Sequence, residues 1–288
     1  MKNILILGGT RGFGLELARE FLALGARVAI TGRKLADAAE AARRLAPVGA
    51  GPGDKGAPPR DSGVAPRDSA AVPASKAFAF EADLRSFESL VRLRADAMAA
   101  LGSIDILVVN GGINQAPAKA WEAAESDIDA VLATDLRGPM YAARAFMPGM
   151  VSAGKGSIWF IEGLGSNNMM VDKFSLYGTS KRGLAYYWRA LAKEAAGTGL
   201  KVCALSPGMM VTDFLLANLG DREEKERAKN IRLYNILADK AETVARFAAP
   251  KIIANERNGR LLQWLTTPKV MARFLSAPFS KRNIVPRE

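Results

Sequence analysis

Tyrosine and lysine stand four residues apart in Tyr177-Gly178-Thr179-Ser180-Lys181, a spacing that sets a phenol and an ammonium on one face of a helix. A lysine cation near a phenol favours its ionised form and draws its pKa down from about 10, so the pair is expected to donate and accept protons near neutral pH. Few other chemistries are open to this chain. Its 288 residues include no histidine and a single cysteine, Cys203, which excludes a Ser-His-Asp triad, a histidine base, an intramolecular disulfide and an ordinary zinc site. A Tyr/Lys pair at this spacing is common, so the surrounding elements decide what it means.

The first of those elements is Gly8-Gly9-Thr10-Arg11-Gly12-Phe13-Gly14. The apolar run Ile4 to Leu7 reads as a strand, and Phe13, Leu17, Phe21 and Leu24 recur at helical spacing, which places the glycines in a strand-to-helix turn. Small residues there let backbone amides and the helix N-terminus approach a pyrophosphate. Gly25 ends the helix, and Arg27 to Thr31 forms a second buried strand that closes a βαβ unit. That strand ends Thr31-Gly32-Arg33, without the acidic residue that would accept hydrogen bonds from the ribose hydroxyls of NAD. Arg33 and Arg11 supply instead two guanidinium groups suited to the 2′-phosphate of NADP, so NADP(H) is the expected cofactor.

The same alternation continues along the chain. A helix is expected from Leu35 to Leu45, a strand from Ala77 to Ala82, a helix with Phe87, Leu90, Val91, Ala97, Met98 and Leu101 on one face, and a strand from Ile104 to Val109. A long helix over about Ser126 to Met147 follows, then a strand from Gly156 to Ile161, a helix from about Tyr177 to Ala196 and a strand from Leu200 to Leu205. A polar helical segment from Asp213 to Asn230, a helix from Ala241 to Asn255 and a strand from Arg260 to Leu265 complete the set. This predicts an α/β fold: a single Rossmann domain over 1–288, one doubly wound parallel sheet with helices on both faces. Residues 47–76, rich in proline and glycine, read as a flexible surface insertion. Residues 213–240 mix Phe214, Leu215, Leu216, Leu219, Leu233, Tyr234 and Ile236 with a charged centre, which suits an apolar cover over a substrate or a plain amphipathic packing helix.

Composition narrows the partners. About half of the residues are apolar (49%) and 24% are charged, enough to fill a globular core. The net charge of +11 comes without an aromatic-interleaved basic stripe or a nucleic-acid motif, so no nucleic acid is expected. The apolar run at the start stops at Gly8, too short for a signal peptide, and no stretch approaches the roughly 20 residues of a transmembrane helix. A cytoplasmic or equivalent reducing compartment is expected. In the tail from Lys269 to Arg287, Met271, Phe274, Leu275 and Phe279 are expected to pack onto the body, with peripheral membrane contact as the other reading.

Taken together, the glycine turn and the Tyr177/Lys181 pair resemble the short-chain dehydrogenase/reductase family, and the resemblance covers the chain outside the insertion. Asp83 and Leu84 after the third strand, Asn110-Gly111-Gly112 after the fourth, and Pro207-Gly208-Met209-Met210-Val211-Thr212 after the sixth match family positions. The resemblance implies that these residues hold adenine, shape the cofactor floor and contact the nicotinamide. The implied cofactor set is Gly8, Thr10, Arg11, Gly12, Phe13, Gly14, Arg33, Asp83, Leu84, Asn110, Gly111, Tyr177, Lys181, Pro207, Gly208, Met210 and Thr212. It also implies that Tyr177 protonates a carbonyl oxygen while NADPH gives hydride to the carbon, that Lys181 binds the nicotinamide ribose, and that the protein forms a homodimer or homotetramer.

Two positions depart from the family pattern. Its asparagine on the long middle helix is Asp135 here, which puts a proton relay through that position in doubt. Its serine after the fifth strand is missing from the usual places in Ile161-Glu162-Gly163-Leu164-Gly165-Ser166, so Ser166 is assigned to orient the carbonyl. That segment, with Tyr177 to Leu184, Ser206 to Asp213, Asn235 to Ala245 and Trp264 to Pro268, resembles the chlorophyll b reductase branch, which reduces a formyl group to a hydroxymethyl group. The resemblance implies as partner a small-molecule carbonyl substrate of the large hydrophobic kind, the formyl group of chlorophyll b or a related pigment. A reductase of a sterol, acyl or sugar carbonyl, or a non-catalytic NADPH-binding regulator, is the alternative.

Overall fold

The computed structural model describes residues 1–45, 77–113, 117–216, 224–280 and 282–285; the insertion read at 47–76 lies outside the described residues. Strands β1 (Asn3–Leu7), β2 (Arg27–Gly32), β3 (Ala77–Glu81), β4 (Ile106–Val109), β5 (Ser157–Ile161), β6 (Lys201–Ser206) and β9 (Leu261–Gln263) form one sheet in the order β3-β2-β1-β4-β5-β6-β9. Every neighbouring pair is parallel. Strand alternation divides the core: Ile4 and Ile6 of β1 join one apolar layer, Leu5 and Leu7 the other. Helices α1 (Gly12–Ala23), α2 (Leu35–Leu45) and α9 (Ala241–Ile253) cover the first face. Helices α3 (Phe87–Leu101), α5 (Gly138–Ser152) and α6 (Ser175–Glu194) cover the second.

The strand order reverses between β1 and β4, which opens a crevice at their carboxyl ends. The turns leaving β1, β4 and β5 all emerge along that edge.

Two elements differ in kind from the sequence expectation. The long middle helix runs from Glu125 to Ser152, but α4 (Glu125–Val131) and α5 are separated by a π-helical turn, Leu132–Arg137. Pro139 explains it, because proline has no N–H to give the carbonyl of Asp135 and its ring crowds that carbonyl, so the preceding turn widens. The polar helix read from Asp213 to Asn230 is two helices, α7 (Asp213–Leu216) and α8 (Glu224–Leu237). Leu215, Ile231, Leu233 and Tyr234 pack with Met209, Val211, Ala238 and Val285 in a small separate cluster. A two-stranded parallel pair, β7 (Met210–Val211) with β8 (Asp239–Lys240), ties this region to the end of β6.

The C-terminal tail corrects a further expectation. Helix α10 (Thr267–Ser276) buries no residue, and Met271, Leu275 and Phe279 are 61%, 77% and 90% exposed. Polar groups attach it: Arg273 donates to the Leu237 carbonyl at 2.7 Å and to Asp239, and the Lys269 ammonium lies over the Trp264 ring. The apolar face is thereby turned outward. Among the described residues no helix is long and apolar enough to cross a membrane.

Candidate active site

The turn leaving β1 is built for close backbone approach. Gly8 has φ +80°, and a side chain there would press on the backbone of Gly111, with Cβ 2.7 Å from its Cα. Asn110 donates its side-chain amide to the Gly8 carbonyl at 2.7 Å, while Thr31 accepts the N–H groups of Gly8 and Gly9 at 3.1 and 3.0 Å. The turn is thus pinned from both neighbouring strands. A Cβ on Gly14 would collide with the Gly8 carbonyl, whereas a Cβ on Gly12, at φ +55°, would meet among the described residues only Thr212, at 3.8 Å. Arg11 begins α1 without capping it by its side chain, so the first N–H groups of the helix point into the space beside Gly12. A pyrophosphate fits this cradle. Phe13 buries its ring in the core, so only its backbone faces the turn.

The adenosine side is shaped by sterics and charge. A Cβ on Gly32 would stand 2.7 Å from Thr10 Cγ2, so an acidic side chain at the end of β2 would displace Thr10. Arg11 and Arg33 are both exposed, and among the described residues neither is in an ion pair. Asp83 is engaged by Arg85 through Nε at 3.0 Å and Nη2 at 2.7 Å, and those hydrogen bonds hold its carboxyl below the usual range against a smaller opposing effect of burial. Leu84 packs on Gly111 and Gly138 as part of the crevice floor. Gly208 takes φ +71° as the chain leaves β6, and Pro207, Met210 and Thr212 follow the same edge.

Tyr177 and Lys181 come to this edge on α6, and both are buried. The Lys181 ammonium lies 5.6 Å from the centre of the Tyr177 ring. Gly163 lies directly against the pair: a Cβ there would be 2.6 Å from the Tyr177 hydroxyl and 3.2 Å from Lys181 Cγ. Behind Lys181, at 3.5 Å from its Nζ, is the carboxylate of Asp135, which is wholly buried and accepts the Ile113 N–H at 2.9 Å.

These surroundings reverse the expected shift of the tyrosine. Burial pushes the Tyr177 phenol up; Lys181 pulls it down, and Asp135 pushes it up again, so the phenol is a weaker acid than usual rather than a stronger one. For Lys181 burial opposes the charge, but Asp135, Tyr177 and Glu162 together outweigh it and hold the ammonium above its ordinary range. Burial likewise raises the Asp135 carboxyl, against the pull of Lys181 and the Ile113 N–H.

Ser166 is also placed differently from the expectation. Its hydroxyl is buried, donates to the Lys181 carbonyl at 3.2 Å and accepts the Gly163 N–H at 3.2 Å. It braces the Gly163 turn against α6. Glu162, which the sequence reading passed over, is buried beneath the same turn and takes Trp188 Nε1 at 2.9 Å and Arg189 at 3.4 Å. Gly163 stood in the sequence only as a place without the usual serine; its signal was a glycine two residues past the end of β5, beside the pair.

The parallel sheet and the glycine cradle at its switch point define an α/β protein of the dinucleotide-binding class, with the buried Tyr/Lys pair beside the cradle. A family model described as short chain dehydrogenase matches residues 2–51 and 65–223. The chain belongs to that family of oxidoreductases. It is 28% identical over 271 residues to the probable chlorophyll(ide) b reductase NYC1, chloroplastic, of Arabidopsis thaliana, covering 94% of this chain and 52% of that protein. The chain therefore spans about half the length of the NYC1 relatives that it matches. It is 29% identical over 283 residues to the chlorophyll(ide) b reductase NOL, chloroplastic, of the same plant, covering 95% of this chain and 73% of the relative. Among solved structures, the 3-ketoacyl-(acyl-carrier-protein) reductase of Brucella melitensis complexed with NADH superposes with TM-score 0.72 at 22% identity, over 91% of this chain and 96% of that one. An actinorhodin polyketide ketoreductase with NADPH gives 0.71 at 23% identity, over 91% and 95%.

Proposed function

We propose that this chain is an NADPH-dependent carbonyl reductase that converts the formyl group of a large hydrophobic substrate, chlorophyll b or a related pigment, to a hydroxymethyl group. The observation that carries the reading is the buried Tyr177/Lys181 pair beside the glycine cradle, since a proton donor there serves a carbonyl next to a bound nicotinamide. When bound, NADPH supplies the hydride. The backbone of Gly8 to Gly14 would hold its pyrophosphate, Arg11 and Arg33 its 2′-phosphate, and Asn110, Gly111 and Thr212 would line its path. Tyr177 holds its proton in the resting site and gives it to the carbonyl oxygen as negative charge develops there. The Lys181 ammonium stabilises the tyrosinate left behind.

The substrate class is supported by the likeness to the chlorophyll(ide) b reductases and by the lips of the crevice. The segments after β4 and β5 carry Trp121 and Met170, which are 80% and 93% exposed, with Met169 and Val171 beside the latter. The Ala118 N–H to Lys173 carbonyl bond and the Lys119 to Asp172 ion pair at 2.7 Å join the two segments. An apolar lip of this kind suits a flat ring system too large to be enclosed. Pairing into a homodimer or homotetramer belongs to the same reading, and a reducing compartment suits the buried free thiol of Cys203.

The test is a carbonyl panel that includes a formyl-bearing porphyrin, with NADPH and NADH supplied in turn. The expected result is NADPH consumption matched by hydroxymethyl product. Reduction of only sterol, acyl or sugar carbonyls would replace the substrate, and tight NADPH binding without turnover of any carbonyl would make the chain a cofactor-binding regulator.

A further inference from the structure

Asp135 is a carboxylate sealed from solvent beside the reactive pair, and it needs a reason. Its Oδ1 accepts the Ile113 N–H at 2.9 Å, and its Oδ2 faces Lys181 Nζ at 3.5 Å. The isosteric amide of an asparagine would satisfy the same backbone donor, so what the aspartate adds is its charge. A buried charge is costly unless an opposite charge answers it, and the π-helical turn set by Pro139 holds this one against Lys181. Among the described residues, charge reaches Tyr177 from Lys181 on its own helix and Asp135 on that turn, and reaches Lys181 from Asp135, Tyr177 and Glu162 at the exit of β5. Glu162 is already engaged by Trp188 and Arg189. Gly112 and Gly163, from the segments after β4 and β5, close the site without adding a charged group.

We propose that Asp135 is a positioning residue that offsets the charge of Lys181 and so adds to burial in keeping the Tyr177 hydroxyl protonated, which favours the site as a proton donor for reduction over a base for alcohol oxidation. The proposal rests on the reductase reading. An unanswered ammonium within about 6 Å lowers the pKa of an acidic group by about 1–3 units. The carboxylate on the far side of Lys181 opposes that pull and cancels part of it. Reduction needs the protonated phenol, so its rate falls as pH rises through the phenol's pKa; anything that lowers that pKa brings the fall to lower pH.

The experiment uses the full chain labelled with ¹³Cζ tyrosine, in which the resonance lost in Tyr177→Phe reports the ionisation of Tyr177 with no substrate present. Asp135→Asn should move that titration down by about one to two pH units and move the alkaline fall of carbonyl reduction with it. Alcohol oxidation with NADP⁺ at neutral pH should rise about tenfold for each unit moved. Asp135→Glu, which restores the charge, should return the titration toward the parent. If Asp135→Asn does not fold, Asp135→Ser makes the same comparison. A Tyr177 titration at the same pH in the parent and in the neutral variants overturns the proposal, even if their turnover is reduced. A shifted titration in a protein that reduces no carbonyl supports the control of Tyr177 by Asp135 and overturns the reductase reading alone.

Discussion

Replacing Gly163 by alanine tests how tightly the reactive pair is held. The added Cβ would sit 2.6 Å from the Tyr177 hydroxyl and 3.2 and 3.3 Å from Lys181 Cγ and Cε. Unstrained contact requires about 3.5 Å, so the phenol must retreat by about 1 Å or the turn must lift away from α6. The turn is not free to lift, because the Gly163 N–H is bound to Ser166, whose hydroxyl is bound in turn to the Lys181 carbonyl. A misplacement of about 1 Å at a reacting group costs about 10²-fold in rate, or close to 2.7 kcal/mol of transition-state stabilisation. Overpacking should also cost about 1–3 kcal/mol of stability. Steady-state NADPH consumption and a thermal melt measure the two effects. The expected outcome is a fall in kcat with NADPH affinity kept. A folded Gly163→Ala protein with kcat within about threefold of the parent would refute the reasoning. Gly178→Ala is the control on the neighbouring helix: its Cβ meets nothing within 4 Å, so activity should be unchanged and stability should rise by up to about 1 kcal/mol.

Further outcomes follow from other contacts. Arg33→Ala should weaken NADPH by about tenfold or more and leave NADH affinity nearly unchanged, as fluorescence titration of the two cofactors would reveal. Equal losses for both would remove the arginine from the 2′-phosphate. Glu162→Ala deprives the buried Trp188 Nε1–H of its acceptor and should cost about 1–3 kcal/mol in chemical denaturation; an unchanged midpoint would contradict that geometry. Cys203 is fully buried and burial pushes its thiol up, so a thiol reagent should fail to modify the native protein and should react with one thiol after denaturation. Fast native modification would contradict the placement.

Much of the frame was legible because burial on both faces of a parallel sheet leaves short apolar runs. Ile4 to Leu7 and Ser157 to Ile161 are of this kind, and α2 runs from Leu35 to Leu45 as its periodicity predicted. The glycine turn was legible because backbone approach demands glycine at φ +80° and +55°. Burial around the pair was not. Four-residue spacing brings Lys181 to Tyr177, but only the fold reveals that both are shut from water and that Asp135 stands behind them, which reverses the direction of the tyrosine shift. The π-helical turn leaves hydrophobic periodicity nearly intact, so it reads as plain helix. Ser166 was assigned to the carbonyl as the hydroxyl nearest the usual serine places, and its bonds to Gly163 in its own turn and to the Lys181 carbonyl on α6 come only with the fold. The outward face of α10 was misread because a pattern of apolar residues does not say whether polar anchors such as Arg273 will fix the helix first.

In the proposed reaction Tyr177 gives the proton that completes reduction of the carbonyl. Tyr177→Phe removes one oxygen and keeps the ring, so the test is NADPH-dependent turnover of a formyl-bearing porphyrin by the parent and this variant, with NADPH affinity measured on both. The account predicts unchanged binding and a loss of about 10²-fold to 10⁴-fold in turnover. A variant that binds NADPH and reduces the formyl group as fast as the parent would contradict it.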